Sequence, residues 1–295
     1  MRLATLRIGG SEEAALVLPG GLLPLARLNA RASSRWPVDL LDLLQSGRLP
    51  ALQRWLREAG PEPHRKLGLD LLPPAEAAFG PLFRRPRKLW GIGLNYAAHA
   101  ADLAEKKPEE EPASFMKPDT TIIGPGDPVV IPPQSERTTG EAELGIVMGR
   151  EARNVAEPDW LGPVAGFTTL LDMTAEDILR KNPRYLTRAK SFDTFFSFGP
   201  VLVTPDEVAD VMKLKVATVL NGRVHAENVV SNMTFPPPYL VAFHSRVMPW
   251  LPGDVLSTGT PQAALLRDGD MLECRIDGFP PLRNPVRDSK VTRPS

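Results

Sequence analysis

The chain has 295 residues, of which 42% are hydrophobic and 24% charged, and its 35 lysines and arginines balance 35 aspartates and glutamates. This length suits one large domain with a smaller companion, and the even charge argues against binding to nucleic acid or to an acidic membrane surface. The lone cysteine, Cys274, excludes an internal disulfide and a cysteine-based zinc site and fits a reducing compartment. No apolar run approaches the roughly 20 residues of a membrane span, and the first residues lack a signal-peptide pattern, so we expect a cytoplasmic protein without membrane contact.

Residues 1–85 are predicted to form a small α+β accessory domain. Three short strands and two amphipathic helices are expected within it, at 2–8, 14–18, 22–25, 38–44 and 49–59. A proline-rich boundary follows at 71–87, so the larger domain is predicted to span 86–295. His64 lies in a polar, proline-flanked segment and is expected at the surface.

A strand that runs into a helix is predicted at 88–99. Its Gly91-Ile92-Gly93 lacks the third glycine of a dinucleotide-binding loop, and no βαβ repeat follows, so we reject a dinucleotide site here. The charged run at 105–112 is expected to be a solvated loop or a lid that orders when substrate binds.

From residue 114 onward the pattern consists mostly of short strands and tight turns, including the hairpin signal Asn221-Gly222. The predicted fold class is therefore α+β and mostly β. A strand predicted at 139–149 carries Glu141 and Glu143 on one face, because side chains alternate along a strand. Two neighbouring carboxylates indicate either a solvated sheet rim or a site for a hard divalent cation, and the pair alone does not decide between them.

Asp172 is predicted at the carboxyl end of a strand at 166–172, directly before a helix. In isolation this position favours a helix cap, which does not exclude a role as a metal ligand. His225 and His244 match no catalytic pattern, and we expect both to pack within strands.

The order of four motifs is more specific than any one of them. Glu-x-Glu lies on a strand, Asp172 ends a later strand, Lys-Ser-Phe-Asp-Thr-Phe begins at Lys190, and Gly-Asp-Val-Leu-Ser-Thr-Gly-Thr-Pro begins at Gly253. This order resembles the fumarylacetoacetate hydrolase family over roughly residues 88–290. The resemblance implies a mixed β-roll with few helices, a small accessory domain in front of it, and a homodimer. It also implies a Mg²⁺ or Mn²⁺ ion held by three carboxylates, here Glu141, Glu143 and Asp172.

The resemblance assigns roles to five further residues. His99 would activate water as a general base, oriented by Asp102, which lies three residues on and therefore on the same face of a short helix. Lys190 would stabilise the charge of the substrate and of its enolate. Lys117 and Thr260 would contact the substrate. The plainer alternatives are a structural histidine at His99, a surface lysine at Lys190 and an ordinary turn residue at Thr260.

Two departures from the family pattern concern the substrate. Members that cleave acylpyruvates carry a substrate-binding arginine where this chain has Glu176, and several carry glutamine where it has Leu179. Candidates to replace the arginine are Arg180, Arg184 and Arg188. The glycine-valine-glycine that often follows Thr-Gly-Thr-Pro is also absent, and Gln262-Ala263-Ala264 stands in its place. These changes leave the metal ligands alone and leave the substrate open.

The resemblance implies a Mg²⁺-dependent enzyme that acts on a small 2,4-dioxo acid or related 2-oxo acid, most simply by hydrolytic cleavage of a carbon–carbon bond. The keto oxygen and carboxylate of such an acid can chelate the ion, which then acts as a Lewis acid. A decarboxylase, a dehydratase or an enol–keto isomerase would use the same enolate and is an alternative. A catalytically silent metal-binding protein is an alternative from another class.

Overall fold

The computed structural model describes residues 1–96 and 110–291. Its strands are β1 Arg2–Ile8, β2 Ser11–Leu18, β3 Gly21–Pro24, β4 Leu89–Gly93, β5 Ala113–Lys117, β6 Ile122–Ile123, β7 Val129–Ile131, β8 Thr138–Met148, β9 Val164–Ala175, β10 Phe196–Phe198, β11 Val201–Val203, β12 Lys215–Leu220, β13 Arg223–Val229, β14 Val255–Ser257, β15 Ala264–Leu265, β16 Met271–Ile276 and β17 Leu282–Asp288. Its α-helices span Leu25–Ala32, Leu40–Gln45, Leu49–Ala59, Pro63–Lys66, Glu176–Lys181, Leu186–Lys190 and Pro237–Val247. Short 3-10 turns lie at Pro74–Glu76, Asp119–Thr121, Glu157–Asp159, Pro183–Tyr185, Pro205–Glu207, Val211–Lys213 and Val230–Asn232.

The strands of the described chain form two mixed sheets. Twelve strands form the larger sheet, whose main path is β3-β2-β1-β11-β9-β8-β14-β4-β5, and five form the smaller one in the order β13-β12-β16-β17-β7. Both sheets have free edge strands, so neither closes into a barrel among the described residues. The prediction of an α+β, mostly β fold with mixed sheets is confirmed.

β8 and β9 lie in the middle of the larger sheet and are buried along their whole length. They pair antiparallel from Thr138 opposite Ala175 to Met148 opposite Val164. Strands of the smaller sheet pack against them, and the largest apolar cluster, which includes Leu144, lies around this contact. Side chains on β8 and β9 are therefore removed from water on both faces.

The first strands extend the larger sheet, because β1 pairs with β11 through Ala4 opposite Val201. The predicted helix at 49–59 is present at its predicted bounds, and the Asn221-Gly222 turn joins β12 to β13 as expected. A second apolar cluster joins leucines of the first helices to β9, β10 and β14. The boundary near residue 85 stays a prediction.

Two histidine expectations are wrong. His64 is buried rather than at the surface, because the short helix Pro63–Lys66 turns it inward. His244 lies on the helix Pro237–Val247 and packs against the rings of Trp90 and Trp250, so it does not belong to a strand. His225 does lie on a strand, β13, but it is exposed there.

Candidate active site

Three carboxylates on β8 and β9 form the centre of the site. Glu141 lies directly opposite Asp172 in the strand pair, and Glu143 follows two residues along β8, on the same face as Glu141. One oxygen from each of the three lies within 4.8 Å of the others. The residues are 6% (Glu141), 1% (Glu143) and 0% (Asp172) exposed, so the alternative of a solvated sheet rim is wrong.

Asp172 does not end its strand, contrary to expectation. β9 continues to Ala175 because its pairing with β8 continues to Thr138, and the helix begins at Glu176. Ala175 occupies the cap position of that helix without a side-chain hydrogen bond, so the helix-cap role expected of Asp172 is also wrong. The carboxylate of Asp172 is instead directed at two lysines.

Lys190 and Lys117 both donate to the carboxylate of Asp172. Lys190 Nζ lies 2.6 Å from Asp172 Oδ2 and 3.0 Å from Glu141 Oε2. Lys117 Nζ donates to Asp172 Oδ1 and, at 3.0 Å, to the carbonyl of Met173. The lysine side chains are 7% and 1% exposed, so the alternative of a surface lysine at Lys190 is wrong.

Glu143 is held by hydrogen bonds from the segment that precedes β15. Ser257 Oγ and the backbone N–H of Gly259, the latter at 2.7 Å, both donate to Glu143 Oε2. Gly259 has φ +100°, and a Cβ there would lie 2.7 Å from the Cβ of Asn95, so only glycine fits. Ser257 belongs to the sequence motif that begins at Gly253, but its contact with Glu143 was not predicted. The signal available was its position two residues before Gly259.

Thr174 is a second residue that the sequence analysis missed. Its hydroxyl donates to Glu141 Oε1 at 3.2 Å, and it lines the cavity next to the carboxylates. The signal was available, because Thr174 lies two residues beyond Asp172 and therefore points to the same face of β9.

Three carboxylates and two lysines share this buried cluster, and they shift one another's pKa values. Burial, together with the charges of Asp172 and Glu141, raises the pKa of Glu143 to about 8. Burial would raise the pKa of Asp172 too, but Lys117 and Lys190 outweigh it and the pKa of Asp172 lies below its usual value. Burial lowers the pKa of Lys117 to about 8. Burial also disfavours charge on Lys190, yet Asp172 and Glu141 raise its pKa.

This donor set fits a divalent metal ion. Three carboxylates converge, and two lysines neutralise only part of their charge. Carboxylate oxygens are the preferred ligands of Mg²⁺ and Mn²⁺, and a divalent ion would offset the remaining negative charge. The acidic centre, defined as Glu141, Glu143 and Asp172, is therefore suited to hold a divalent metal ion.

A cavity of about 140 Å³ lies beside the acidic centre. Glu141, Glu143 and Lys190 line it, and Thr260 lines it as well. The hydroxyl of Thr260 donates to the carbonyl of Gln262 at 3.3 Å, and the residue is 1% exposed. Lys117 is absent from the described lining residues and reaches the site through Asp172.

Glu176 lies on the cavity wall between two arginines. Arg137 Nε donates to Glu176 Oε2 at 3.0 Å, and Arg180 Nε donates to Glu176 Oε1 at 2.6 Å. Of the candidates to replace the family arginine, Arg180 thus contacts Glu176. No arginine lines the cavity in the part of the chain that the structure describes.

His99 and Asp102 lie outside the described residues, and their catalytic roles stay predictions.

Within residues 1–96 and 110–291, no helix combines the length and the apolar character needed to cross a membrane.

Comparisons with known proteins identify the family of this chain. The family model described as fumarylacetoacetate (FAA) hydrolase C-terminal matches residues 88–287. The mitochondrial oxaloacetate tautomerase FAHD2A of Homo sapiens is 36% identical over 227 residues, which cover 74% of this chain and 72% of that protein.

Two solved structures resemble nearly the whole chain. One is maleylpyruvate hydrolase from Sphingobium sp. SYK-6 in complex with manganese (II) ion and pyruvate, with 27% identity, a TM-score of 0.80, and 98% of this chain and 100% of that chain covered. The other is 5-carboxymethyl-2-hydroxymuconate delta-isomerase from Mycobacterium smegmatis, with 27% identity, a TM-score of 0.75, and 99% and 100% covered. The chain therefore belongs to the fumarylacetoacetate hydrolase family of enzymes and has an acidic, metal-binding centre on β8 and β9.

Proposed function

We propose that this protein is a divalent-metal-dependent hydrolase that cleaves the C3–C4 bond of a short acylpyruvate, a 2,4-dioxo acid. The observation that carries the proposal is the acidic centre with Lys190 at the edge of a cavity of about 140 Å³. The maleylpyruvate hydrolase whose fold this chain shares is described in complex with manganese and pyruvate, which supports a 2-oxo acid as the recognised head group. Mg²⁺ is the proposed resident ion, with Mn²⁺ as its substitute.

The residues around the cavity have separate proposed roles in binding the ion and the substrate. An ion held by Glu141, Glu143 and Asp172 would supply positive charge to the 2-oxo oxygen of the substrate. Lys190 fixes Glu141 and Asp172 in one arrangement and adds a cation on the cavity wall, where it attracts the substrate carboxylate. Thr260 offers a hydroxyl to the same carboxylate.

Lys117 acts from behind the acidic centre. Its ammonium holds the second oxygen of Asp172 and the carbonyl of Met173, so it orients the carboxylate rather than touching the cavity. We therefore place Lys117 as a positioning residue, whereas the family resemblance had implied direct substrate contact.

The proposed reaction consumes one water molecule. Its oxygen adds to C4, and the C3–C4 bond breaks with the electron pair remaining on C3 as the enolate of pyruvate. C4 leaves as a carboxylic acid, and C3 takes up a proton to give pyruvate. His99, oriented by Asp102, is the proposed base that accepts the proton of the attacking water.

Hydrolysis of acetylpyruvate tests the proposal. Loss of the diketone absorbance and formation of pyruvate should both require Mg²⁺ or Mn²⁺, should stop after chelation with EDTA, and should return when the ion is added back. His99→Ala should abolish pyruvate formation while leaving Mn²⁺ binding in place. A panel of acylpyruvates that yields no pyruvate with either ion would reject hydrolysis and favour a silent metal-binding protein.

Enol–keto tautomerisation is a second candidate function. It is favoured by the 36% identity to a human oxaloacetate tautomerase over 74% of this chain. The reaction uses the same enolate but needs no water and breaks no carbon–carbon bond. Conversion of enol-oxaloacetate to its keto form, followed by ultraviolet absorbance, separates this function from hydrolysis.

A homodimer is proposed from the family alone. Light scattering coupled to size-exclusion chromatography would test it, because a dimer has twice the 32.3 kDa mass of one chain.

A further inference from the structure

The cavity beside the acidic centre has a wall that the proposed mechanism does not use. Its apolar members come from β4, β5 and the helical segment after β9. They include Leu94, Ala113, Phe115, Leu179, Pro183 and Leu186. An apolar wall stabilises a hydrocarbon group by removing it from water and offers no compensation to a buried charge.

Glu176 is the acidic group on this wall outside the metal site. The residue lines the cavity, and its side chain is 5% exposed. Arg137 and Arg180 contact it from the solvent side, where their side chains are 43% and 54% exposed. Both guanidinium groups therefore donate hydrogen bonds to Glu176, and neither arginine lines the cavity.

Cations are scarce on the described part of the cavity surface. Lys190 is the one lysine or arginine that lines it there, and its ammonium is already bound to Glu141 and Asp172 at the metal site. A carboxylate at the far end of a substrate would meet Glu176 and hydrocarbon, without a free cation from the described wall. A buried carboxylate without a partner is disfavoured.

We infer that the substrate is an acylpyruvate with a short, uncharged, apolar acyl tail, and that Glu176 determines this specificity by excluding a second carboxylate. The inference rests on the proposed function for the identity of the 2-oxo acid head. Glu176 acts by binding Arg137 and Arg180, which holds their positive charge on its own carboxylate and outside the cavity. A 2-oxo acid whose acyl tail ends in a second carboxylate is the class of compound that the described wall disfavours.

A matched pair of substrates tests the inference. Butanoylpyruvate and succinylpyruvate have acyl tails of equal length that end in a methyl group and a carboxylate, respectively. With the Mn²⁺-loaded enzyme, kcat/KM should be at least about tenfold higher for butanoylpyruvate, the size expected for one unfavourable charge contact at a partly screened site. Equal values, or a preference for succinylpyruvate, would overturn the inference and leave the proposed hydrolysis standing.

A binding measurement makes the test independent of turnover. The 2-oxo acids 2-oxovalerate and 2-oxoglutarate form the corresponding matched pair, and calorimetry on the Mn²⁺-loaded protein should show tighter binding of 2-oxovalerate. If no acylpyruvate is hydrolysed, the proposed function fails, and this pair alone decides the inference. Failure of both acids to bind, or tighter binding of 2-oxoglutarate, would overturn it.

The variant Glu176→Gln separates the specificity role from a structural one. Glutamine keeps the size of the side chain and one oxygen that can accept from one of the two arginines, but it removes the charge. The preference for butanoylpyruvate should then fall by about tenfold. The matched control is Asp177→Asn, because Asp177 is also an acid in this helix but accepts from Ser135 and Glu136 and does not line the cavity.

The control should keep the wild-type substrate ratio. If Glu176→Gln changes the melting temperature yet leaves the ratio of the two kcat/KM values unchanged, Glu176 only ties the helix to Arg137, and its specificity role is rejected.

Discussion

Two groups of lysines and buried carboxylates in the described part of the chain differ in their balance of charge. Lys88 and Asp254 form one pair, with Nζ 2.6 Å from Oδ2 and side chains 13% and 0% exposed. The same carboxylate oxygen accepts the backbone N–H of Leu251 at 2.7 Å, so this pair joins the start of β4 to the turn before β14. In the acidic centre three carboxylates face two lysines. The balanced pair needs no further charge, whereas the uneven group has a third carboxylate whose ionised form a bound metal ion would stabilise.

The largest effect is expected when the uneven group loses Asp172. Asp172→Asn removes the carboxylate that Lys117 and Lys190 share, and removal of one partner from a buried pair costs about 3–5 kcal/mol of unfolding free energy. Loss of a ligand should also lower Mn²⁺ affinity by more than the about 10- to 100-fold typical of residues that only orient ligands. Urea unfolding and calorimetric titration with Mn²⁺ measure the two effects. Wild-type Mn²⁺ affinity in this variant would contradict the metal site.

The balanced pair should affect stability alone. Lys88→Met leaves the buried carboxylate of Asp254 without its ammonium partner, and we expect the unfolding free energy to fall by about 3–5 kcal/mol. The double variant Lys88→Met with Asp254→Asn should recover part of this loss, because no charge is left unpaired. The Mn²⁺ affinity of the folded protein should stay unchanged in both variants. A clear loss of affinity would show that the Lys88–Asp254 pair influences the acidic centre.

A smaller effect is expected from Ser257, which orients a ligand without binding the ion. Ser257→Ala removes the hydroxyl that donates to Glu143 Oε2 but keeps the N–H of Gly259. Mn²⁺ affinity should fall about 10- to 100-fold. The matched control is Ser197→Ala on β10, whose buried hydroxyl has no hydrogen-bond partner among the described residues. Equal Mn²⁺ affinities in the two variants would show that Ser257 does not orient Glu143.

The smallest effect concerns the dependence of stability on pH. His244 packs against the rings of Trp90, Phe243 and Trp250, and burial lowers its pKa from 6.5 to about 4. The unfolded chain therefore binds a proton that the folded chain does not accept, so stability should fall as pH decreases from about 6.5 towards 4. Urea midpoints measured across this range should depend less on pH in His244→Phe. An identical dependence would show that His244 is not the group responsible.

The features that the sequence predicted are those set by neighbours along the chain. Alternation along β8 placed Glu141 and Glu143 on one face, and the Asn221-Gly222 turn predicted its hairpin, because both signals depend on a few adjacent residues. The helix Leu49–Ala59 was found from its apolar periodicity for the same reason.

The features that the sequence did not predict depend on contacts between distant residues. β9 extends past Asp172 because β8 continues to pair with it, which the local pattern could not indicate. Ser257 meets Glu143 from 114 positions away, and Lys117 meets Asp172 from 55. The contact of Glu176 with Arg137, 39 positions away, likewise could not be predicted from neighbouring residues.

The position of Glu141 opposite Asp172 has a consequence for the folding of this sheet. Two of the three proposed metal ligands come from facing positions on neighbouring strands, so their separation is fixed by the alignment of β8 with β9. A slip of one residue would turn one carboxylate to the opposite face of the sheet and disperse the ligands. A bound ion would thus favour one alignment over all others. Ion binding would thus stabilise the native register, and a chain with β8 and β9 misaligned would not bind the ion.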